Sequence, residues 1–264
     1  MKIEKKLRYL KENNKKALIT YITAGDPSLE ITEKLVYVLD KAGADIIELG
    51  IPFSDPLADG PVIQKASQRA LEKKVNIFKI LSMVNNIREK ITIPFILMSY
   101  YNPIYHYGLN SFADDAQEAG VDGFIIPDLP FEESDEFKRI IEQKGLELIS
   151  FIAPTSTPER IAMIAENARG FIYCVSVTGI TGIRKETSLK TAQLLEKIRL
   201  YTDLPLAVGF GISGPEQAKE VSKFADAVIV GSGIVNIIEE TQNDLAKMLF
   251  QINSFVSHLK KSIL

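Results

Sequence analysis

The sequence predicts an α/β protein built as a closed (β/α)8 TIM barrel, with a short N-terminal helix and an extra helix after the second strand. Three observations carry that expectation. Short continuous apolar runs recur eight times along the 264 residues, each ends in Gly, Pro, Ser or Asp, and amphipathic stretches fill the intervals. Apolar strands alternating with helices indicate a parallel sheet covered on both faces. Eight such units in about 250 residues favour closure into a barrel, with an open doubly wound sheet as the alternative. No low-complexity segment, linker or composition shift divides the chain, so residues 1–264 are expected to form one barrel domain.

Each element has a local reason. In MKIEKKLRYLKENNKK, Ile3, Leu7 and Leu10 recur at helical spacing and predict a short amphipathic cap helix. That segment lacks the apolar core of a signal peptide, and its two Glu argue against a transit peptide. The first apolar run is ALITYITAG from Ala17. Next, SLEITEKLVYVLDKAG (Ser28 to Gly43) reads as a helix opened by a Ser cap and closed by Gly. The second run, DIIELG from Asp45, leads into the loop IPFSDPLADGP. Pro61 then suits the first position of a helix, PVIQKASQRALEKK. An additional helical stretch runs from Asn76 to Lys90. The remaining runs are PFILMSY from Pro94, GFIIPD from Gly123, LELISFIAP from Leu146, GFIYCVS from Gly170, PLAVGFG from Pro205 and DAVIVGS from Asp226. The longest insertions follow the second and sixth runs, at the strand ends where barrel active sites form.

Composition narrows the function classes. The chain is 46% hydrophobic and 25% charged, with a formal net charge of -3. That balance offers no basic surplus for nucleic acid or an anionic membrane. The lone Cys174 rules out an intrachain disulfide and fits a reducing compartment, and no apolar run reaches the ~20 residues of a membrane span.

The residue that demands an explanation is Glu48. In DIIELG it shares a face with Ile46 and Gly50. Turned toward the helices it would be sealed in hydrocarbon at a cost of several kcal/mol. Facing the barrel interior near the open end, it can meet a ligand, and desolvation should raise its pKa toward neutrality. The plainer reading is a structural Glu capping a loop or paired with an Arg. Pro52, Pro56 and Pro61 stiffen the loop that follows and hold Asp59 near the mouth, although Asp59 could also simply cap the next helix. Asp55, nearer the loop tip, is expected to face solvent or a partner.

The barrel ends also inform by omission. None of the eight runs contains a Lys, so a Schiff-base lysine rooted in a strand is not expected. Two His, His106 and His258, are too few for a His-rich zinc site. What stands out are carboxylates, Tyr and Thr hydroxyls, and glycines, which suit proton transfer on a substrate that accommodates its own electrons. GFGISGPEQAKEV from Gly209 and GSGIVNII from Gly231 each pass from a strand through a turn into a helix. Backbone N–H groups there suit a phosphate, with Gly182 and Ser232 as further donors.

ELGIPFSDPLADGPVIQ closely resembles the signature of the tryptophan synthase alpha chain family, and YCVSVTGITGIR, GFGIS and VIVGSGIV match its other loops in order and spacing. The resemblance covers essentially the whole chain. It implies cleavage of indole-3-glycerol phosphate to indole and glyceraldehyde 3-phosphate, with Glu48 as general acid/base and Asp59 as the second catalytic carboxylate. It further implies supporting roles for Tyr173 and Thr181, phosphate contacts from Gly182, Gly211, Gly231 and Ser232, and an indole pocket of Tyr21, Tyr100 and Phe210, with Ile63 beside them. Asn102 would line the site or the route toward the partner. No cofactor is expected in this chain; pyridoxal phosphate would reside in a beta-chain partner within an α2β2 tetramer. The implied compartment is the cytoplasm, or the plastid stroma for a plastid-encoded chain. Two other readings compete: another phosphate-binding barrel enzyme, such as an isomerase or synthase of the same pathway, and a mainly regulatory partner of a second enzyme.

Overall fold

The computed structural model describes residues 2–175, 184–209 and 211–264. Its strands are β1 (Ala17–Thr23), β2 (Ile46–Gly50), β3 (Phe95–Met98), β4 (Gly123–Ile125), β5 (Glu147–Leu148), β6 (Ser150–Ile152), β7 (Ile172–Val175), β8 (Leu206–Gly209) and β9 (Ala227–Val230). They form one sheet in the order β5-β4-β3-β2-β1-β9-β8-β7-β6, and the described ladders are parallel. The two edges, β5 and β6, come from the same apolar run, so the sheet curls into a nearly closed barrel whose seam falls inside that run. Glu147 and Leu148 pair back to β4, whereas Ser150 to Ile152 pair forward to β7. The eight expected strands are thus present, the fifth split at Ile149.

Strand alternation sorts the core into an inside and an outside. Ile19, Ile46, Ile96, Ile125, Ile149, Phe171, Ala207 and Ile229 belong to one cluster, the barrel interior. The first helix, Lys2–Glu12, closes the barrel floor, because Ile3, Leu7 and Leu10 join that cluster. A second, larger cluster lies between the sheet and the helices, with Leu18, Ile47, Leu49, Leu97 and Phe124 supplied from the strands. The helix Leu29–Ala42 has Ser28 accepting the Ile31 N–H and Gly43 in the left-handed region at φ 103°, as the sequence signals require. The extra helix spans Ile77–Arg88, capped by Asn76.

Three aspartates at strand starts lock the floor. The side chains of Asp45, Asp122 and Asp226 accept the backbone N–H groups of Leu18, Phe95 and Leu206, each 2.9 Å away on the neighbouring strand. Each is also ion-paired, with Lys260, Arg88 and Arg199 respectively. The opposite end of the barrel is left for chemistry.

Candidate active site

Glu48 sits in the middle of β2, opposite Tyr21 of β1 and Ile96 of β3. It shares the interior parity of Ile46, so it faces into the barrel. It is 1% exposed, and its Oε2 has no hydrogen-bond partner among the described residues. Burial raises its pKa to about 8, with the nearby charge of Asp59 adding to the effect. No ion pair to Glu48 occurs among the described residues, so the reading as an Arg-paired structural carboxylate finds no support there.

Asp59 reaches the same cleft from the loop that follows β2. Burial raises its pKa to about 6, against the pull of a hydrogen bond from Tyr100. It does not cap the next helix: the cap of Pro61–Glu72 is Gly60, without a side-chain bond. Tyr100 also accepts the Ala58 N–H at 2.8 Å and stacks near Phe53, at 5.2 Å between ring centroids. Expected in the indole pocket, Tyr100 is engaged with the Asp59 loop. Asp55 lies exposed, hydrogen-bonded to the Ser54 hydroxyl at 2.6 Å, and Leu57 beside it is 94% exposed. Asn102 is exposed as well, on the helix Tyr101–Tyr107.

Two tyrosines pave the cleft because glycines leave them room. A Cβ on Gly50 would stand 2.1 Å from the Tyr21 Oη, and one on Gly209 would stand 2.2 Å from the Tyr173 Oη. Both rings therefore lie across bare backbone of strands facing the site. Their pKa values are raised, chiefly by burial and further by Glu48 and Asp59, so both phenols stay protonated. Tyr21 also lies 3.3 Å from the Thr23 hydroxyl.

These groups border one cleft that is open to solvent. It brings together Tyr21, Glu48, Asp59, Ile63 and Tyr173 with Gly211, Gly231 and Ser232. The last two open the helix Ser232–Thr241, so backbone N–H groups face one end of the cleft. Gly211 has φ +76°, where a side chain would be strained. The carboxylates and the glycine-lined turns thus border one space. Thr181, Gly182 and Phe210 lie outside the described residues.

Met98, Ile212 and Ile229 also line the cleft and were not singled out in the sequence. Met98 and Ile229 sit on the inward parity of their strands, so alternation alone could have found them. Ile212 belongs to the GFGIS turn, where no periodicity applies. Among the described residues no cluster of three or more His, Cys, Asp or Glu is placed to hold a metal ion. No described helix is long and apolar enough to cross a membrane.

A parallel barrel whose open end joins two carboxylates of raised pKa to glycine-lined helix starts defines a class of barrel suited to acid/base chemistry in one cleft. Within that class, the chain belongs to the tryptophan synthase alpha chain family, whose sequence model matches residues 7–264. The alpha chain of Geobacter sp. (strain M21) is 49% identical, over 100% of this chain and 98% of that protein. That of Petrotoga mobilis is 47% identical, over 94% of this chain and 96% of that protein. The crystal structure of the alpha chain from Legionella pneumophila subsp. pneumophila superposes with a TM-score of 0.91 at 43% identity, covering 99% of this chain and 97% of that chain. An aminoacrylate-bound tryptophan synthase structure from M. tuberculosis gives 0.88 at 31% identity, covering 100% and 99%.

Proposed function

We propose that this chain, acting as one barrel domain, cleaves indole-3-glycerol phosphate to indole and D-glyceraldehyde 3-phosphate, and passes the indole to a beta chain that makes L-tryptophan. The observation that carries the assignment of roles is Glu48: a buried carboxyl group, protonated at neutral pH, facing a cleft it shares with Asp59 and a glycine-lined end.

The chemistry follows from that placement. Glu48 gives its proton to C3 of the indole, which converts the ring into an electron sink. The bond from C3 to the glycerol chain then breaks, its electrons restoring the aromatic ring. The Glu48 carboxylate takes the proton from the adjacent glycerol hydroxyl as that carbon becomes the aldehyde, so the acid is regenerated. Asp59, ionised above about pH 6, accepts the indole N–H and stabilises the positive charge that develops on the ring. Tyr21, Ile63 and Tyr173 flank the indole, and backbone N–H groups near Gly211, Gly231 and Ser232 hold the phosphate. Thr181, Gly182 and Phe210 carry the roles that family resemblance gives them. The reading places pyridoxal phosphate in the beta chain, sets an α2β2 assembly, and puts the complex in the cytoplasm or a plastid stroma.

The test is product identification. The purified chain is given indole-3-glycerol phosphate, with and without an added beta chain, and indole and glyceraldehyde 3-phosphate are measured. Equimolar release of both supports the reading. Failure to form either, with the beta chain present, rejects it.

A further inference from the structure

Arg69 lies outside the reacting centre yet joins three elements that build it. It sits on the helix Pro61–Glu72, which begins two residues after Asp59. Its Nε and Nη2 donate to the two carboxylate oxygens of Asp26, both at 2.8 Å, and Asp26 is 1% exposed. Asp26 lies in the turn that leaves β1, the strand bearing Tyr21. The remaining amino group, Nη1, lies 3.4 Å from Glu239, near the far end of the helix that starts at Ser232. Lys65 of the same helix as Arg69 also approaches Glu239, at 3.9 Å.

Nearer the cleft the same three elements share an apolar contact. Tyr21, Ile63, Ala66 and Val235 form a cluster separate from the barrel interior and from the outer core. The turn after β1 packs closely against Val75, just beyond the Arg69 helix: a Cβ on Gly25 would stand 2.5 Å from it. The β1 turn, the helix behind Asp59 and the helix behind Ser232 are therefore held as one body, by packing on one side and by ion pairs on the other.

We infer that Arg69 is a positioning residue: through Asp26 and Glu239 it sets the separation between the carboxylate end of the cleft and its phosphate end. The inference rests on the reading proposed above, in which one substrate spans both ends. A guanidinium fork on a carboxylate fixes angle as well as distance, which an ammonium group does not. Because Asp26 is buried, its fork is held firmly; loss of Arg69 would leave a carboxylate with no cation at that contact.

The test compares kcat/KM for indole-3-glycerol phosphate with kcat/KM for the same indoleglycerol lacking its phosphate. Only a substrate held at both ends feels their separation. In Arg69→Lys the phosphate-bearing substrate should lose about tenfold, and in Glu239→Gln about threefold, chiefly in kcat, with the phosphate-free compound within about twofold of wild type. Should the Arg69 variant fail to fold, Glu239→Gln carries the test alone, since it leaves the Asp26–Arg69 fork in place. An equal loss on both substrates, or no loss on either, overturns the inference. A wild-type chain that does not cleave the phosphorylated substrate removes the functional reading and this inference together. A wild-type chain that does cleave it, with variants that keep its phosphate advantage, removes this inference only.

Discussion

Replacing Glu48 with Gln should make the protein more stable, by an amount that depends on pH. In the folded chain the Glu48 carboxyl has a pKa of about 8, against an ordinary value of 4.5. Below pH 4.5 the group is protonated in both states and burial costs nothing through ionisation. Between 4.5 and 8 the unfolded chain releases the proton and the folded chain keeps it, so stability falls by about 1.4 kcal/mol for each pH unit. At pH 7 the accumulated cost is about 3 kcal/mol, and above pH 8 it levels off at about 5 kcal/mol. Gln has no such proton to lose. Urea unfolding of wild type and Glu48→Gln, followed by circular dichroism, reads the difference directly. The midpoints should nearly coincide close to pH 4.5 and separate as pH rises, with the variant the more stable. A gap that does not change with pH, or wild type the more stable at pH 7, would show that burial does not set the Glu48 pKa. The stability surrendered at this position is the counterpart of having a neutral acid in a dry site.

Cleavage should have a bell-shaped pH profile for kcat/KM, rising as Asp59 ionises around pH 6 and falling as Glu48 ionises around pH 8. Asp59→Asn should flatten the acid limb and move the basic limb to lower pH, because it removes a negative neighbour of Glu48; an unmoved basic limb would show that the two do not interact. Gly209→Ala puts a methyl group where the Tyr173 hydroxyl lies, 2.2 Å away, and forces the ring aside by about 1 Å, so kcat/KM should fall by about a hundredfold in steady-state assays. Asp122→Ala strips the barrel floor of a buried acceptor and strands Arg88, and should cost about 3–5 kcal/mol in denaturant titrations, with kcat of the folded fraction unchanged.

Much of this was legible in the sequence, for reasons that differ by element. Runs such as ALITYIT and AVIV are apolar on both faces, which only a covered parallel strand explains. Ser28 and Gly43 mark the ends of their helix because capping chemistry is local. Glu48 could be assigned a face because strand alternation allows only two. The same reasoning applies to Glu147, which the sequence reading passed over. It too is fully buried and faces inward, and its pKa is raised to about 7, chiefly by burial, against the pull of a backbone hydrogen bond from Glu4. What separates the two is depth. Glu147 lies at the floor, where a Cβ on its neighbour Gly123 would meet Ile3 of the closing helix, and Glu48 lies within reach of the open end. Depth comes from register between strands, which one-dimensional periodicity does not contain. The seam at Ile149 escaped for a related reason: LELIS reads as one strand until its two halves are seen pairing with different neighbours. Arg69 reaches Asp26 and Glu239 through contacts distant in the sequence, and nothing local marks it.

On the proposed reading, the Glu48 carboxyl group supplies the proton that opens the carbon–carbon bond. Single-turnover release of indole from indole-3-glycerol phosphate, compared between wild type and a folded Glu48→Gln variant saturated with beta chain, tests it most directly. Wild type should release indole and the variant should release none above the uncatalysed rate, while retaining its affinity for the beta chain. Indole release by Glu48→Gln at a rate near that of wild type would contradict the account.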